Sequence, residues 1–134
     1  MAAIPAPIRF ARDLADGKGL EPLGPWPTGI RIAGAEPALV KTWFEGQIAV
    51  QVCQIPDGVL RYPRTPFDEI VIVLEGRATV TPDGGVAEIF DKGEVFILPE
   101  GFEGTFAVSD GYRELTVMET RVMRALAAEW GVSV

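Results

Sequence analysis

Glycine punctuates the later part of this chain at a short, even beat. Residues 76, 84, 93, 101 and 111 are glycines, spaced eight to ten apart. Short β-rich runs surround them: Leu39–Phe44, Ile48–Ile55, Ile70–Leu74, Ala78–Thr81, Val86–Phe90, Val95–Leu98, Thr105–Val108 and Tyr112–Met118. The breaks are Glu45-Gly46, Pro56-Asp57-Gly58, Glu75-Gly76, Pro82 to Gly85, Asp91-Lys92-Gly93, Pro99 to Gly104 and Ser109-Asp110-Gly111. Asp-Gly and Pro-Asp-Gly supply the positive-φ positions that tight β-turns need. This rhythm predicts an all-β sandwich or barrel. No long helical pattern separates the runs, which excludes a parallel α/β sheet.

The flanks differ from this middle. Residues 1–37 carry prolines at 5, 7, 22, 25, 27 and 37, which prevent a long helix or a central strand. The segment is expected to be an extended arm, with one helical turn near Phe10–Ala15, held to the body by Trp26, Ile30 and Ile32. Residues 38–119 form the barrel. Residues 120–134 predict one short helix, capped by Thr120 and stopped by Gly131, with Val122, Leu126 and Trp130 on one face and Met123 and Ala127 beside them. At 134 residues the whole is one domain.

Composition narrows the partners. Twelve basic against nineteen acidic residues leave a net charge of −7, so nucleic acid and membrane surfaces are disfavoured. No basic stretch followed by an apolar core opens the chain, and a cytoplasmic location is expected. One cysteine, Cys53, excludes an intrachain disulfide and a CxxC motif; among Val50, Val52 and Ile55 it reads as a buried, inert thiol. The mean hydropathy of +0.21 is high for so charged a chain. Both faces of Ile70–Leu74 are apolar and need cover, one from the core and one from the arm or a partner. A homodimer is therefore expected.

Two blocks carry a resemblance. Gly58, Glu69 and Gly76 fit a motif of G, five residues, H-x-H, three or four residues, E, six residues, G. Gly93, Pro99 and Gly101 fit G, five residues, P-x-G, two residues, H, three residues, N. From about Trp43 to Met118 the chain thus resembles the cupin superfamily, small jelly-roll β-barrels. More narrowly, Asp68-Glu69 through Gly76 and Pro99 through Phe106 resemble the ureidoglycine-aminohydrolase-like cupin subgroup. The resemblance implies a single cupin jelly-roll barrel with an N-terminal arm and a C-terminal helix.

The residues that bind metal in the superfamily are another matter, because the chain has no histidine. Counted forward from Gly58, the first histidine pair falls at Arg64 and Pro66. Counted back from Glu69, it falls at Tyr62 and Arg64 or at Pro63 and Thr65. The third histidine position is Gly104, and Val108 stands for the asparagine. Of the superfamily's four-residue set only Glu69 is present, too few donors for a transition-metal site unless Cys53, Gln51, Glu114 or Tyr112 face the same cavity. Neither metal nor organic cofactor is implied. The residues predict instead a metal-free pocket that holds a small-molecule ligand. Arg64 would meet an anionic group, Tyr62 and Tyr112 would supply hydroxyls, and Glu69, desolvated, would act as general base. A metal-independent lyase, isomerase or hydrolase using Glu69 is one alternative, and a ligand-free dimeric interaction module is another. An Arg64–Glu69 ion pair at the barrel mouth is the structural alternative for those two residues.

Overall fold

The computed structural model describes residues 3–132 and 134. A short helix α1 (Arg12–Ala15) is followed by nine strands: β1 (Glu21–Pro22), β2 (Arg31–Gly34), β3 (Leu39–Glu45), β4 (Ile48–Gln54), β5 (Gly58–Tyr62), β6 (Glu69–Pro82), β7 (Glu88–Asp91), β8 (Val95–Leu98) and β9 (Gly104–Glu119). Helix α2 (Thr120–Trp130) follows.

The two long strands form the spine. β6 and β9 pair antiparallel from Ile70↔Val117 to Pro82↔Gly104. On its free edge the first half of β6 takes β8, and the second half takes β7. β9 takes β5 along its first half and β4 along its second. β3 then adds to β4, β1 to β3, and β2 to β5. One curled nine-stranded antiparallel sheet results, whose two parts, a first sheet β1-β3-β4-β9-β6-β8 and a second sheet β2-β5-β9-β6-β7, share the two bent strands as an all-β jelly roll.

The bend has a local cause. Pairing jumps from Glu75↔Arg113 to Arg77↔Ser109, so β9 spends extra residues opposite Gly76. Gly76, Asp110 and Gly111 all have positive φ, at 76°, 61° and 72°. A Cβ at Gly76 would lie 2.6 Å from the Ser109 carbonyl oxygen, so only glycine fits this crossing. Glu75-Gly76 and Ser109–Gly111 are therefore bulges inside continuous strands, not the breaks expected between separate ones. Gly58 is likewise not a turn: it opens β5.

The arm is also more than a wrapping segment. β1 and β2 are woven in as edge strands, and Arg113 donates to the Ala15 carbonyl at 2.8 Å, tying α1 to β9. α2 begins one residue after Glu119, and the Thr120 hydroxyl finds no partner, so Thr120 does not cap it. Gly131 does end it, in the left-handed conformation.

The inward faces of β6 and β9 supply Val71, Val73, Ala78, Val80, Phe106, Val108 and Tyr112 to the core. The outward face of the first sheet is different. Ile48, Ile70, Val95 and Ile97 are 46, 41, 58 and 63% exposed. The arm does not cover this face of β6 and β8. No helix among the described residues is long and apolar enough to cross a membrane.

Candidate functional site

Strand alternation decides which side chains reach the interior. In the first half of β6 it turns Glu69 inward with Val71 and Val73. In the second half of β9 it turns Glu114 and Thr116 inward, next to Gln51 and Cys53 of β4, with which they are in register. Tyr62, the last residue of β5, points the same way as buried Leu60. These side chains line one cavity of about 100 Å³. That is somewhat smaller than the ~150 Å³ engineered cavity known to admit benzene.

Part of the lining comes from outside the barrel. Trp26 of the arm and Met123, Leu126, Ala127 and Trp130 of α2 form one wall. Trp26 is held by its indole N–H, which donates to the Ala35 carbonyl at 2.8 Å, and its ring meets Trp130 edge-on at 6.3 Å. The apolar stripe of α2, legible in the sequence as a packing face, is thus a cover over the polar cavity.

The two carboxyls differ in surroundings. Glu114 is 8% exposed and accepts a 2.6 Å hydrogen bond from the Tyr112 hydroxyl. Burial pushes its pKa up to about 7, and the Tyr112 bond partly offsets the rise. Glu69, half-buried, is raised well above the ordinary carboxylate range by burial first and by the Glu114 charge second, with no hydrogen bond to counter either. Burial, then the charges of Glu114 and Glu69, likewise raise the Cys53 thiol and the Tyr62 phenol. The Glu114 charge disfavours a second charge on Glu69, so the two carboxyls lose their protons at different pH and can take unlike roles.

Of the predicted site residues, Tyr62 and Glu69 share the cavity. Tyr112 stands behind it and acts through Glu114. Arg64 does not join them. It is exposed, on a loop pinned to the 99–102 turn by reciprocal Thr65 N–H to Phe102 and Gly101 N–H to Thr65 hydrogen bonds. It lines a separate outer depression with Glu129, and Tyr62, Phe67, Leu126 and Trp130 form the wall common to both spaces. No Arg64–Glu69 ion pair forms. No lysine or arginine lines the cavity. In the sequence Glu114 is only one further donor beside Cys53, Gln51 and Tyr112; its alternation with Tyr112 and Thr116 on β9 is the signal that turns it inward.

A cupin metal does not fit this donor set. Cys53, Gln51, Glu69 and Glu114 do reach one cavity, but no three His, Cys, Asp or Glu among the described residues converge where one ion could sit. At Gly104 a Cβ would lie 2.1 Å from the Thr81 carbonyl oxygen.

The comparisons agree on the scaffold. Solved structures of similar fold include an ethanolamine utilization protein Q from Salmonella typhimurium LT2, 26% identical over 65% of this chain and 74% of that one, with a TM-score of 0.56. A protein of unknown function from Pseudomonas syringae pv. tomato reaches 0.67 at 16% identity over 74% of this chain, which spans only 43% of that protein. The polyketide cyclase RemF from Streptomyces resistomycificus gives 0.60 at 19% identity, over 86% of this chain and 80% of that one. No curated protein matches the chain. The EutQ-like cupin domain matches residues 43–114, from the bulge of β3 to Glu114 itself. With just over half its length accounted for by that domain, the chain belongs to the EutQ-like cupin family.

Proposed function

We propose that the chain binds a small molecule in the barrel cavity without a metal, and that any reaction it performs there is proton transfer through Glu69 and Glu114. The observation that carries this reading is the pairing of two unequal carboxyls across one partly apolar cavity that also holds Cys53, Tyr62 and Gln51. Different environments for two acids in one site are how folds divide acid and base roles. Arg64 lies outside the cavity, so the anionic preference it suggested loses its support. Among enzyme classes a metal-independent lyase, isomerase or hydrolase uses the same pair.

A fragment screen followed by protein NMR tests the reading. Bound fragments should perturb Glu69, Tyr62 and Cys53 together, and Glu69→Gln should remove that response while leaving the fold intact. Fragments that bind only elsewhere would refute it. Elemental analysis after dialysis should find far less than one equivalent of Mn, Fe, Ni, Cu or Zn. A full equivalent lost on Glu69→Gln would refute the metal-free part.

We also propose that a second copy covers the aliphatic face of the first sheet. Ile70 pairs with Ile97 and Val117, and Ile72 with Val95 and Leu115, so the patch is continuous across three strands. A chain of net charge −7 repels its own copies, least of all across an uncharged face. A two-fold pairing brings such a face against itself. Light scattering should give twice the 14.5 kDa chain mass; a monomer at micromolar concentration would overturn this.

A further inference from the structure

Resting on the cavity reading above, we infer that the ligand is a small organic cation: an ammonium group on a short apolar body. Every ionisable side chain lining the cavity, namely Cys53 on β4, Tyr62 on β5, Glu69 on β6 and Glu114 on β9, is neutral or negative, and none can become positive. Helix α2 and the arm add no ionisable side chain to the lining. An anion entering here would face two carboxyls and no guanidinium or ammonium. A cation instead relieves the repulsion between two carboxylates that line one cavity, offsetting negative charge that nothing else in the lining balances.

The walls point the same way. Trp26, Tyr62, Phe67 and Trp130 all line the cavity. Ring faces attract ammonium groups, and an apolar site lined by several of them suits a cation with alkyl substituents. Leu23, Val40 and Ile55 also line the cavity and would take up the apolar body. Outside, Arg64 and Glu129 share the neighbouring depression, so its rim carries one charge of each sign, while the chain's net charge of −7 draws cations toward it from a distance.

Three probes matched in size and differing in charge test the inference: n-propylammonium, n-propanol and propionate. Each is titrated calorimetrically into the whole chain in phosphate buffer at about pH 8, above the Glu114 pKa of about 7 and with alkylammonium groups still charged. Propylammonium should bind at least about tenfold more tightly than propanol, as expected when a hydrogen bond gains a charged partner, and propionate should not bind. Glu69→Gln and Glu114→Gln should each weaken propylammonium by about tenfold or more, with near-ultraviolet circular dichroism unchanged. Propanol or propionate binding as well as the cation, and perturbing Glu69, would overturn the ligand class while leaving the cavity reading standing. If none of the three binds and the fragment screen also finds the cavity empty, both fall. The probe comparison on the native protein decides the matter even where a variant fails to fold.

Discussion

The same two strands build a filled half of the barrel and a hollow half. Beyond the bulge, β6 turns Ala78 and Val80 inward, and the first half of β9 turns Phe106 and Val108 inward. There a chain of rings fills the space: Phe90 stacks on Phe96 at 4.1 Å, Phe96 meets Phe106 at 6.2 Å, and Phe106 meets Tyr112 at 6.0 Å. On the other side of the bulge the same faces carry Glu69, Glu114 and Thr116 beside the buried Val71 and Val73, and a cavity opens. Tyr112 sits on the boundary, its ring packed on the aromatic side and its hydroxyl bonded to Glu114 on the other. One half is packed with rings and the other holds the ionisable cavity, and a change of strand register separates them.

Four measurements can break or sharpen that contrast. Phe106→Ala empties the filled half and should cost about 3–5 kcal/mol in urea unfolding, while ligand affinity per folded molecule stays unchanged. A cost under about 1 kcal/mol would mean that this half is not the stabilising one.

The hollow half should make the fold pH-sensitive. Glu114 has a folded pKa of about 7 against an ordinary 4.5, and Glu69 is raised too. A raised carboxyl pKa means that the folded state holds protons which the unfolded chain releases. This contribution is fully present below about pH 4.5 and is lost as pH rises through 7. The loss should total roughly 3 kcal/mol for Glu114 alone. Glu75 and Asp83, held low by their hydrogen bonds to Lys92 and Arg61, act in the opposite sense but at lower pH. Unfolding at several pH values should show the decline between pH 5 and 8, and Glu114→Gln should flatten it. A rise over that range would contradict the buried pair.

Tyr112→Phe removes the bond that joins the halves. It should cost about 1–2 kcal/mol and move the Glu114 titration, followed by carboxyl NMR, to higher pH. No movement would show that the two residues are independent. The smallest stability effect belongs outside the barrel. Ile97→Lys should alter monomer stability by no more than about 0.5 kcal/mol yet abolish self-association in light scattering.

Much of the scaffold was legible because strand alternation and turn chemistry are local properties. Val95–Leu98 matches β8 residue for residue, and Gly131 ends α2 as its position predicts. Two errors share one cause. Glycine and aspartate at positive φ serve turns and bulges alike, so Gly76 and Asp110-Gly111 looked like chain breaks when they were bends. β5 is hidden behind Pro56-Asp57-Gly58 for a different reason: Gly58 is demanded by the close approach of β2, where a Cβ would lie 2.1 Å from the Ala35 nitrogen. Within the site, Glu69 and Tyr62 stood out through their spacing to the glycine motifs. Arg64 misled because an offset along a loop does not tell which way the side chain leaves it; the pairing of Thr65 with Phe102 and Gly101, far away in sequence, sets that direction. The covering role of α2 was invisible, since an apolar stripe looks the same whether it meets a packed core or a cavity.

Gly104 bears on what this barrel can become. The position that holds a histidine in metal-binding relatives is here pressed against the opposite strand, with the Thr81 oxygen and the Pro82 Cα occupying the space of a side chain. Substitution at that one site cannot bring a metal back; β6 and β9 would first have to part where they now touch. The absence of histidine is therefore written into the backbone as well as the sequence, and redesign toward metal chemistry would have to start from Cys53, Glu69 and Glu114, on the hollow side.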